Sequence, residues 1–273
     1  MIARVVTGAS GLIGAALTRH LAQLPGPLLA IDTHPHHQGT PGHRVTLADI
    51  TGEHFPDLLA THLPGATRAE LYHTAGHVPD LARITETPPD AFARTLADNL
   101  TATYTALRAF ALAAQHTGVP AAAVLLSSVG ATRAHRYLVA YDAAKAATES
   151  LARSFTLEFG GHLAVRTAAL GPIAQSATTA ADGERLPALV NLVPRGAYAN
   201  IEDIAQAIAA LGTPCFDTAT GHTLTLDGGL TIQLRPGSIE RPPEQAHPAH
   251  EDPATGNTGQ HLATRNHSPG GHR

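Results

Sequence analysis

The chain has 273 residues, of which 43% are hydrophobic, so it can bury one sizeable core and form one or two domains. The net charge is -4 and the pI is near 6.5, which excludes a strong basic field that would attract nucleic acid or an anionic membrane. One cysteine, Cys215, excludes an intrachain disulfide, and no apolar run reaches the roughly 18 residues that span a bilayer.

Short apolar runs alternate with helix-like segments along the chain. The predicted strands are Ile2–Thr7, Leu28–Ile31, Arg44–Leu47, Glu70–His73, Ala122–Ser127, Leu163–Ala169 and Thr223–Leu226. The predicted helices are Leu12–Leu24, Pro89–Thr117, Val139–Phe159 and Ile201–Leu211. Strands that are apolar from end to end indicate burial on both faces. The pattern predicts an α/β fold, a single doubly wound Rossmann-like domain with about seven parallel strands and helices on both faces.

A glycine loop joins the first strand to the first helix, in the order Gly8, Ala9, Ser10, Gly11, Leu12, Ile13, Gly14. Glycines permit a tight turn and the close approach of a pyrophosphate to the backbone. The helix N-terminus then offers free N–H groups and the positive end of the helix dipole. In the order strand, loop, helix, this segment predicts a dinucleotide-binding site.

Asp32 follows the second strand, 18 residues after Gly14. A carboxylate at this place can accept hydrogen bonds from both adenosine ribose hydroxyls and would repel a 2′-phosphate. We therefore expect NAD as the cofactor in preference to NADP. The alternative is a turn aspartate before Thr33 and His34.

Tyr141 and Lys145 lie four residues apart on a predicted helix, and Lys145 is the only lysine among the 18 Lys and Arg residues. This spacing places the phenol and the ammonium on one helix face, where the cation is expected to lower the tyrosine pKa. A phenol tuned in this way can transfer a proton at an alcohol or carbonyl oxygen. The ammonium can also donate to the ribose hydroxyls of a nucleotide.

Ser128 ends the fifth strand, where a hydroxyl would point into the crevice used by ligands of α/β folds. Ser127 is the rival for this role, and both could simply cap a loop. Asn99 lies inside the long helix although Asn is a poor helix former. It is predicted to bend the helix and hold a water in a proton relay, with an ordinary exposed Asn as the alternative.

Together these motifs resemble the short-chain dehydrogenase/reductase family, in its compact subfamily, over residues 1–232. The resemblance implies a catalytic tetrad of Asn99, Ser128, Tyr141 and Lys145. It implies cofactor contacts from the glycine loop and from Asp49, Ile50, Ala75, Gly76, Gly171, Pro172 and Ile173, with Asp49 and Ile50 near the adenine. The segment Leu226-Asp227-Gly228-Gly229 is similar to the family's last strand.

Three positions depart from the family pattern. The Gly8, Gly11, Gly14 spacing is closer to that of the extended subfamily, which includes epimerases and dehydratases. His73 replaces an Asn that normally braces the central sheet. Gln175 replaces a Thr that often holds the nicotinamide carboxamide.

The leading hypothesis is an NAD-dependent dehydrogenase or ketoreductase that interconverts a small secondary alcohol and a ketone. The alternatives are an epimerase or dehydratase that uses NAD transiently and a nucleotide-sensing protein without turnover. We expect a cytoplasmic protein, because the sequence starts in a strand without the pattern of a signal peptide. We also expect a homodimer or homotetramer. Residues 233–273 are rich in Pro, Gly and His and are predicted to be a disordered tail, whose scattered histidines do not indicate a metal site.

Overall fold

A parallel sheet of seven strands forms the centre of the computed structural model, which describes residues 1–35, 44–174 and 190–233. The strands are β1 (Ile2–Thr7), β2 (Leu28–Asp32), β3 (Val45–Leu47), β4 (Arg68–His73), β5 (Ala121–Ser128), β6 (Leu163–Leu170) and β7 (Thr223–Leu226). Their order in the sheet is β3-β2-β1-β4-β5-β6-β7, and all neighbouring pairs are parallel.

Helices cover both faces of the sheet. In the described ranges they are α1 (Leu12–Leu21), α2 (His54–His62), α3 (Pro89–Leu96), α4 (Ala102–Thr117), α5 (Val139–Phe159) and α6 (Ile201–Gly212). One buried apolar cluster includes Phe55 of α2, Phe110 of α4 and Phe155 of α5. A second includes Leu17 of α1 and Ile208 of α6. The predicted fold class, a doubly wound α/β domain, is confirmed.

The chain order reverses at β1, because β2 and β3 lie on one side of it and β4 to β7 lie on the other. In open parallel sheets, ligands bind at the carboxyl ends of the strands where the order reverses. The fold therefore directs the search for a site to the loops after β1, β4, β5 and β6.

The long helix predicted over Pro89–Thr117 is interrupted. Residues Ala97–Thr101 form one π-helical turn between α3 and α4, and this turn contains Asn99. The predicted disturbance of the helix at Asn99 is therefore present, and it is a π-helical turn. Helix α2 had no counterpart in the sequence prediction.

The prediction that the strands are apolar throughout is wrong for β1, β4 and β6. Buried charged residues lie on all three strands, namely Arg4, Arg68, Glu70 and Arg166. They form a network with Asp217, in which Glu70 contacts both Arg4 and Arg68, and Asp217 contacts Arg68 and Arg166. Pairing is what permits such residues inside a sheet.

Residues Met1–Leu234 form one compact unit. Nearly all of the tail predicted at residues 233–273 lies outside the described residues, as does Gln175, so these two predictions remain predictions. The helices of the described ranges include none that is long and apolar enough to cross a membrane.

Candidate active site

A cavity of about 510 Å³ opens at the carboxyl ends of the central strands. This cavity is lined by most of the residues that the sequence predicts for the site. They are Gly11, Leu12, Ile13, Gly14, Ala75, Gly76, Asn99, Ser128, Tyr141, Lys145, Gly171, Pro172 and Ile173. The fold therefore gathers the loops after β1, β4, β5 and β6 around one space.

The glycine loop at one end of the cavity is packed too closely for side chains. Gly8 has φ of 73°, and a Cβ there would lie 2.5 Å from the backbone N of Ala75. A Cβ at Gly14 would lie 2.0 Å from the carbonyl oxygen of Gly8. Helix α1 begins directly after Gly11, which provides no side-chain cap for its N–H groups. A bare backbone at a helix N-terminus suits a phosphate group.

Asp32 lies at the end of β2, outside the lining of the cavity, and its carboxylate holds the loops around it. One oxygen, Oδ2, accepts a hydrogen bond from the backbone N–H of Ser10 at 2.9 Å. The other, Oδ1, accepts from the N–H of His34 at 3.0 Å. The structure therefore gives Asp32 the turn-stabilising role that the sequence left open, and its ribose contact remains a prediction.

Asp49 and Ile50 lie outside the cavity lining. The Asp49 carboxylate accepts hydrogen bonds from the backbone N–H and the hydroxyl of Thr51. The side chain of Ile50 is buried in an apolar cluster of the sheet. Any contact of these two residues with an adenine remains a prediction.

Ser128 and Ser127 both line the cavity, but their hydroxyls have different partners. The Ser127 hydroxyl donates to Glu149 of α5 at 2.7 Å and so fastens that helix to β5. The Ser128 hydroxyl is close enough to the Tyr141 phenol to lower its pKa, and Ser128 Oγ accepts a hydrogen bond from the N–H of Gly130 at 3.1 Å. This arrangement favours Ser128 as the serine that acts with Tyr141, and that role remains a prediction.

Burial raises the pKa of Tyr141 above its usual value of about 10; the hydrogen bond from Ser128 lowers it, and the nearby Asp142 carboxylate raises it. The lowering of this pKa that the sequence led us to expect from Lys145 is not found, since burial has the largest effect and Lys145 is not among the groups that shift it. The tyrosine is protonated at neutral pH and is ready to donate its proton.

Lys145 is enclosed next to the tyrosine. Its Nζ donates to the carbonyl oxygen of Leu126 at 3.1 Å and lies 5.4 Å from the centre of the Tyr141 ring. Burial lowers the pKa of Lys145 to about 8. A side-chain amine with this pKa is present both as the ammonium, which can donate a proton, and as the neutral amine, which can accept one, near physiological pH.

Asn99 is fully buried in the π-helical turn, and its side chain amide is held on both sides. Its Nδ2 donates to the carbonyl oxygen of Thr95 at 3.1 Å, and its Oδ1 accepts from the N–H of His77 at 3.2 Å. The water relay proposed for it remains a prediction. In the structure, Asn99 lies in the cavity wall beside Gly76 and Lys145.

His73 takes the bracing role expected of an Asn. It is buried at the end of β4, with Nδ1 2.8 Å from the Thr7 hydroxyl and Nε2 3.0 Å from the Thr103 hydroxyl. The Thr103 hydroxyl donates in turn to the backbone carbonyl oxygen of Asn99 at 2.7 Å. The imidazole thus joins β1, β4 and α4 directly behind the site.

Sequence reasoning missed Thr74 in the wall and the pairing of His135 with Asp142. Thr74 directly precedes the recognised Ala75, so that neighbouring residue was a usable signal. The His135–Asp142 pair gave no such signal, because only the fold of the loop brings the two together. Within the described ranges, no group of three or more His, Cys, Asp or Glu side chains is placed to hold a metal ion.

A comparison with models of protein families identifies the family of the chain. Residues 59–231, well over half of the chain, match the model described as enoyl-(acyl carrier protein) reductase. The chain belongs to the short-chain dehydrogenase/reductase family. The match begins after the glycine loop, so the loop is an observation independent of it.

Named relatives of this dehydrogenase/reductase act on polyols and sugars. It is 29% identical to D-threitol dehydrogenase of Mycolicibacterium smegmatis, over 84% of this chain and 92% of the relative. It is 26% identical to galactitol 2-dehydrogenase (L-tagatose-forming) of Cereibacter sphaeroides, over 83% and 94%. The match to D-erythrulose reductase of Gallus gallus, 28% identical, covers 42% of this chain and about half, 48%, of that relative.

Solved structures share the fold of this family member. An oxidoreductase of the short-chain dehydrogenase/reductase family from Burkholderia thailandensis superposes with a TM-score of 0.72 at 26% identity, over 84% of this chain and 92% of that one. A short-chain type dehydrogenase/reductase from Mycobacterium ulcerans gives 0.73 at 23% identity, over 84% and 90%.

The residues of the site fit the nicotinamide cofactor that this family uses. The side-chain-free surface of Gly8 and Gly14 at the start of α1 suits a pyrophosphate. At the other end, Lys145 presents a buried ammonium beside Tyr141, where a ribose hydroxyl can accept from it. The strip between them is made of small residues, Ala75 and Gly76, which leave room for a long ligand.

Proposed function

We propose that the protein is an NAD-dependent dehydrogenase or ketoreductase that interconverts a secondary alcohol and a ketone. One observation carries this proposal. Tyr141 lies with Ser128 and the buried Lys145 in one cavity, which extends to the glycine loop. An acid, an orienting donor and a cation at one place are what proton transfer at a carbonyl oxygen needs.

The bound nicotinamide would supply the hydride acceptor or donor at the substrate carbon. Tyr141 donates its proton to the carbonyl oxygen during reduction and takes it back from the alcohol during oxidation. Ser128 holds the same oxygen by a second hydrogen bond. Lys145 stabilises the tyrosinate that forms after donation and passes a proton on, and Asn99 shapes the wall beside it.

The substrate class that we propose is a small polyol or its ketose. The relatives matched over most of their length are named for D-threitol and galactitol, which carry hydroxyls on neighbouring carbons. A cavity of about 510 Å³ is of the size that takes small molecules.

Turnover by the Tyr141→Phe variant tests this function. Oxidation of threitol-like polyols by the unaltered protein should raise absorbance at 340 nm, and Tyr141→Phe should lower kcat by at least about 100-fold, since the proton donor is lost. Binding of NADH, followed by its own fluorescence, should change little because the ring remains. Tyr104→Phe, on the exposed surface of α4, is the matched control and should keep full turnover. Full turnover by Tyr141→Phe would refute the mechanism.

Asp32 is the residue that we propose to select NAD over NADP. Its carboxylate lies beyond the glycine loop and would repel a 2′-phosphate. The double variant Asp32→Asn with Thr33→Arg keeps an acceptor for Ser10 while exchanging a negative charge for a positive one. It should raise the ratio of kcat/KM for NADP over NAD by more than about tenfold, the equivalent of about 1.4 kcal/mol. If the unaltered protein already prefers NADP, this role of Asp32 is wrong.

The spacing of Gly8, Gly11 and Gly14 supports a second candidate function, that of an epimerase or dehydratase. Such an enzyme would convert its substrate with catalytic NAD and no net change at 340 nm. Product analysis by NMR, with the absorbance recorded in parallel, separates the two candidates.

The cytoplasmic location and the homodimer or homotetramer remain proposals from the sequence. Light scattering coupled to size-exclusion chromatography tests the oligomer, and cell fractionation tests the location.

A further inference from the structure

A histidine and an aspartate form a hydrogen-bonded pair at the edge of the active-site cavity. The ring Nδ1 of His135 lies 2.8 Å from Oδ1 of Asp142, and the backbone N–H of His135 donates to Oδ2 at 2.7 Å. The Asp142 side chain is 9% exposed, whereas that of His135 is 40% exposed and lines the cavity. The buried carboxylate therefore holds both the backbone and the ring of one residue that a ligand can reach.

These contacts determine which ring nitrogen a ligand meets. A carboxylate only accepts hydrogen bonds, so the proton of a neutral His135 ring must be on Nδ1, where Asp142 receives it. The other nitrogen, Nε2, is then left as an acceptor on the side of the ring away from Asp142. A hydroxyl group is the natural donor to such an atom.

Gly130 makes room for the pair and links it to Ser128. A Cβ at Gly130 would lie 2.0 Å from Oδ1 of Asp142 and 2.6 Å from Nδ1 of His135, so no larger residue fits there. The N–H of Gly130 also donates to Oγ of Ser128 at 3.1 Å. Gly130 therefore packs against the His135–Asp142 pair and is hydrogen-bonded to Ser128.

The loop that carries His135 is fastened on its other side as well. Tyr137 has φ of 72°, a conformation that side chains other than glycine rarely adopt, so surrounding contacts must hold it. Its carbonyl oxygen accepts a hydrogen bond from the N–H of Ala82, in the segment after β4, at 3.1 Å. A loop held from both sides presents His135 in a defined place.

Much of the nearby wall is apolar, with Val78, Val129, Leu138, Ile173 and Leu230 in the lining. A substrate hydroxyl buried against such side chains loses its hydrogen bonds to water, which costs free energy unless a polar group replaces them. Ser128 and Tyr141 already serve the reacting oxygen. A second hydroxyl on the next carbon therefore needs another partner.

Building on the proposed function, we infer that His135 is a specificity-determining residue whose Nε2 accepts a hydrogen bond from a hydroxyl on the carbon next to the reacting one. The site then prefers vicinal diols and α-hydroxyketones to simple secondary alcohols and ketones. Asp142 acts through His135 as a positioning residue.

The preference between two matched substrates tests this inference. For 2,3-butanediol and 2-butanol, which differ by the second hydroxyl, the ratio of kcat/KM is measured for the unaltered protein and for His135→Leu. The variant should lower the diol-to-alcohol ratio by about tenfold, because it removes one hydrogen bond to the substrate. Arg136→Leu changes the next residue, which lies outside the cavity lining, and should keep the ratio. An unchanged ratio in His135→Leu, with either no loss or an equal loss for both substrates, overturns the inference.

Asp142→Asn tests the positioning role. The amide can present an N–H to the ring and no longer requires the proton on Nδ1, so the diol-to-alcohol ratio should fall in the same direction as for His135→Leu. A loss of general stability alone would lower both activities together and leave the ratio unchanged. That result would show that Asp142 does not position His135 for the substrate.

Chemical modification of histidine tests this inference without depending on turnover, and so separately from the proposed function. Diethyl pyrocarbonate modifies neutral imidazole nitrogens, and the modified peptides are mapped by mass spectrometry. In the unaltered protein, 2,3-butanediol should slow the modification of His135 more than 2-butanol does, with the exposed His116 as an internal reference. Equal modification with both compounds overturns the role of His135 even if turnover is found. Absence of hydride transfer with selective protection of His135 would instead refute the proposed function alone.

Discussion

At the scale of single residues, burial has the largest effect on the pKa values of Tyr141 and Lys145. The four-residue spacing of Tyr141 and Lys145 on one helix is a local property, and the structure places both in the same cavity. How strongly each pKa shifts depends on burial by residues far away in the chain. The phenol is therefore less acidic than the spacing suggested, and burial lowers the pKa of Lys145 to about 8.

Lys145→Arg should reduce kcat by at least about 100-fold although the charge is kept. The Lys145 ammonium occupies a buried space where it reaches the carbonyl oxygen of Leu126, and the planar, wider guanidinium does not fit the same contacts. Turnover at 340 nm and NADH binding by fluorescence are both measured. Arg153→Lys, an exposed exchange on the same helix α5, is the control and should have no effect.

Chemical labelling provides an independent view of Lys145. It is the only lysine, and at pH 8 about half of its amine is neutral and reactive because its pKa is about 8. Saturating NAD should protect it from a small amine-selective reagent. Equal labelling with and without NAD would contradict the proposed contact between Lys145 and the ribose.

At the scale of elements, most strands could be predicted because they are short runs of mainly apolar residues. The long helices could be predicted because they are longer segments between these runs. The helix α2 was missed because it is short, contains Pro56, and buries only Phe55 and Leu59. The π-helical turn at Ala97–Thr101 depends on contacts of Asn99 with other segments, so the sequence indicated a disturbance but not its form. The His135–Asp142 pair likewise depends on a loop conformation that no periodicity encodes.

His73 makes the joint between β1, β4 and α4 sensitive to acid. Burial, and secondarily the charge of Lys145, lowers the pKa of His73 to about 3, whereas the unfolded chain has a value near 6.5. Above pH 6.5 neither state binds this proton. As the pH falls from 6.5 to 3, only the unfolded state binds it, so the free energy of unfolding should decrease by up to about 1.4 kcal/mol per pH unit from this group.

The variant His73→Asn removes this proton site. Its free energy of unfolding, measured by urea denaturation between pH 6.5 and 4, should depend less steeply on pH than that of the unaltered protein. His116→Asn, an exposed exchange on α4, serves as the control and should keep the original slope. Equal slopes for His73→Asn and the unaltered protein would show that His73 is not the buried neutral group described.

At the scale of the whole molecule, the sheet combines an apolar core with buried charges. Apolar clusters on its two faces explain why the alternation of apolar runs with helix-like segments predicted an α/β domain. Arg68 fell outside the predicted strand, which began at Glu70, whereas Arg4 and Arg166 lay inside predicted strands with no indication of their partners. Asp217, the partner of Arg68 and Arg166, lies 147 residues beyond Glu70, a separation that local pattern reading does not bridge.

Glu70 is the residue on which this network depends most. Its carboxylate lies 3.3 Å from Nε of Arg4 and 3.4 Å from Nε of Arg68, and it accepts a hydrogen bond from the Tyr72 hydroxyl at 2.9 Å. Glu70→Gln keeps the shape but leaves Arg4 without a carboxylate partner in a buried place. Removing one partner of a buried ion pair typically costs about 3–5 kcal/mol, a large part of the stability of an ordinary domain.

Urea denaturation of Glu70→Gln and of two matched variants measures this cost. Asp217→Asn should lose less stability, since the Asp217 side chain is 40% exposed and water can replace part of the pairing with Arg68. Glu202→Gln breaks the surface pair with Arg19, in which the Arg19 side chain is 42% exposed and the Glu202 side chain 53% exposed. This variant should lose less than about 1 kcal/mol of stability. The expected order of loss is therefore Glu70, then Asp217, then Glu202. A loss for Glu70→Gln no greater than for Glu202→Gln would mean that water reaches the arginines of the sheet, and that the network is a surface feature and not part of the core.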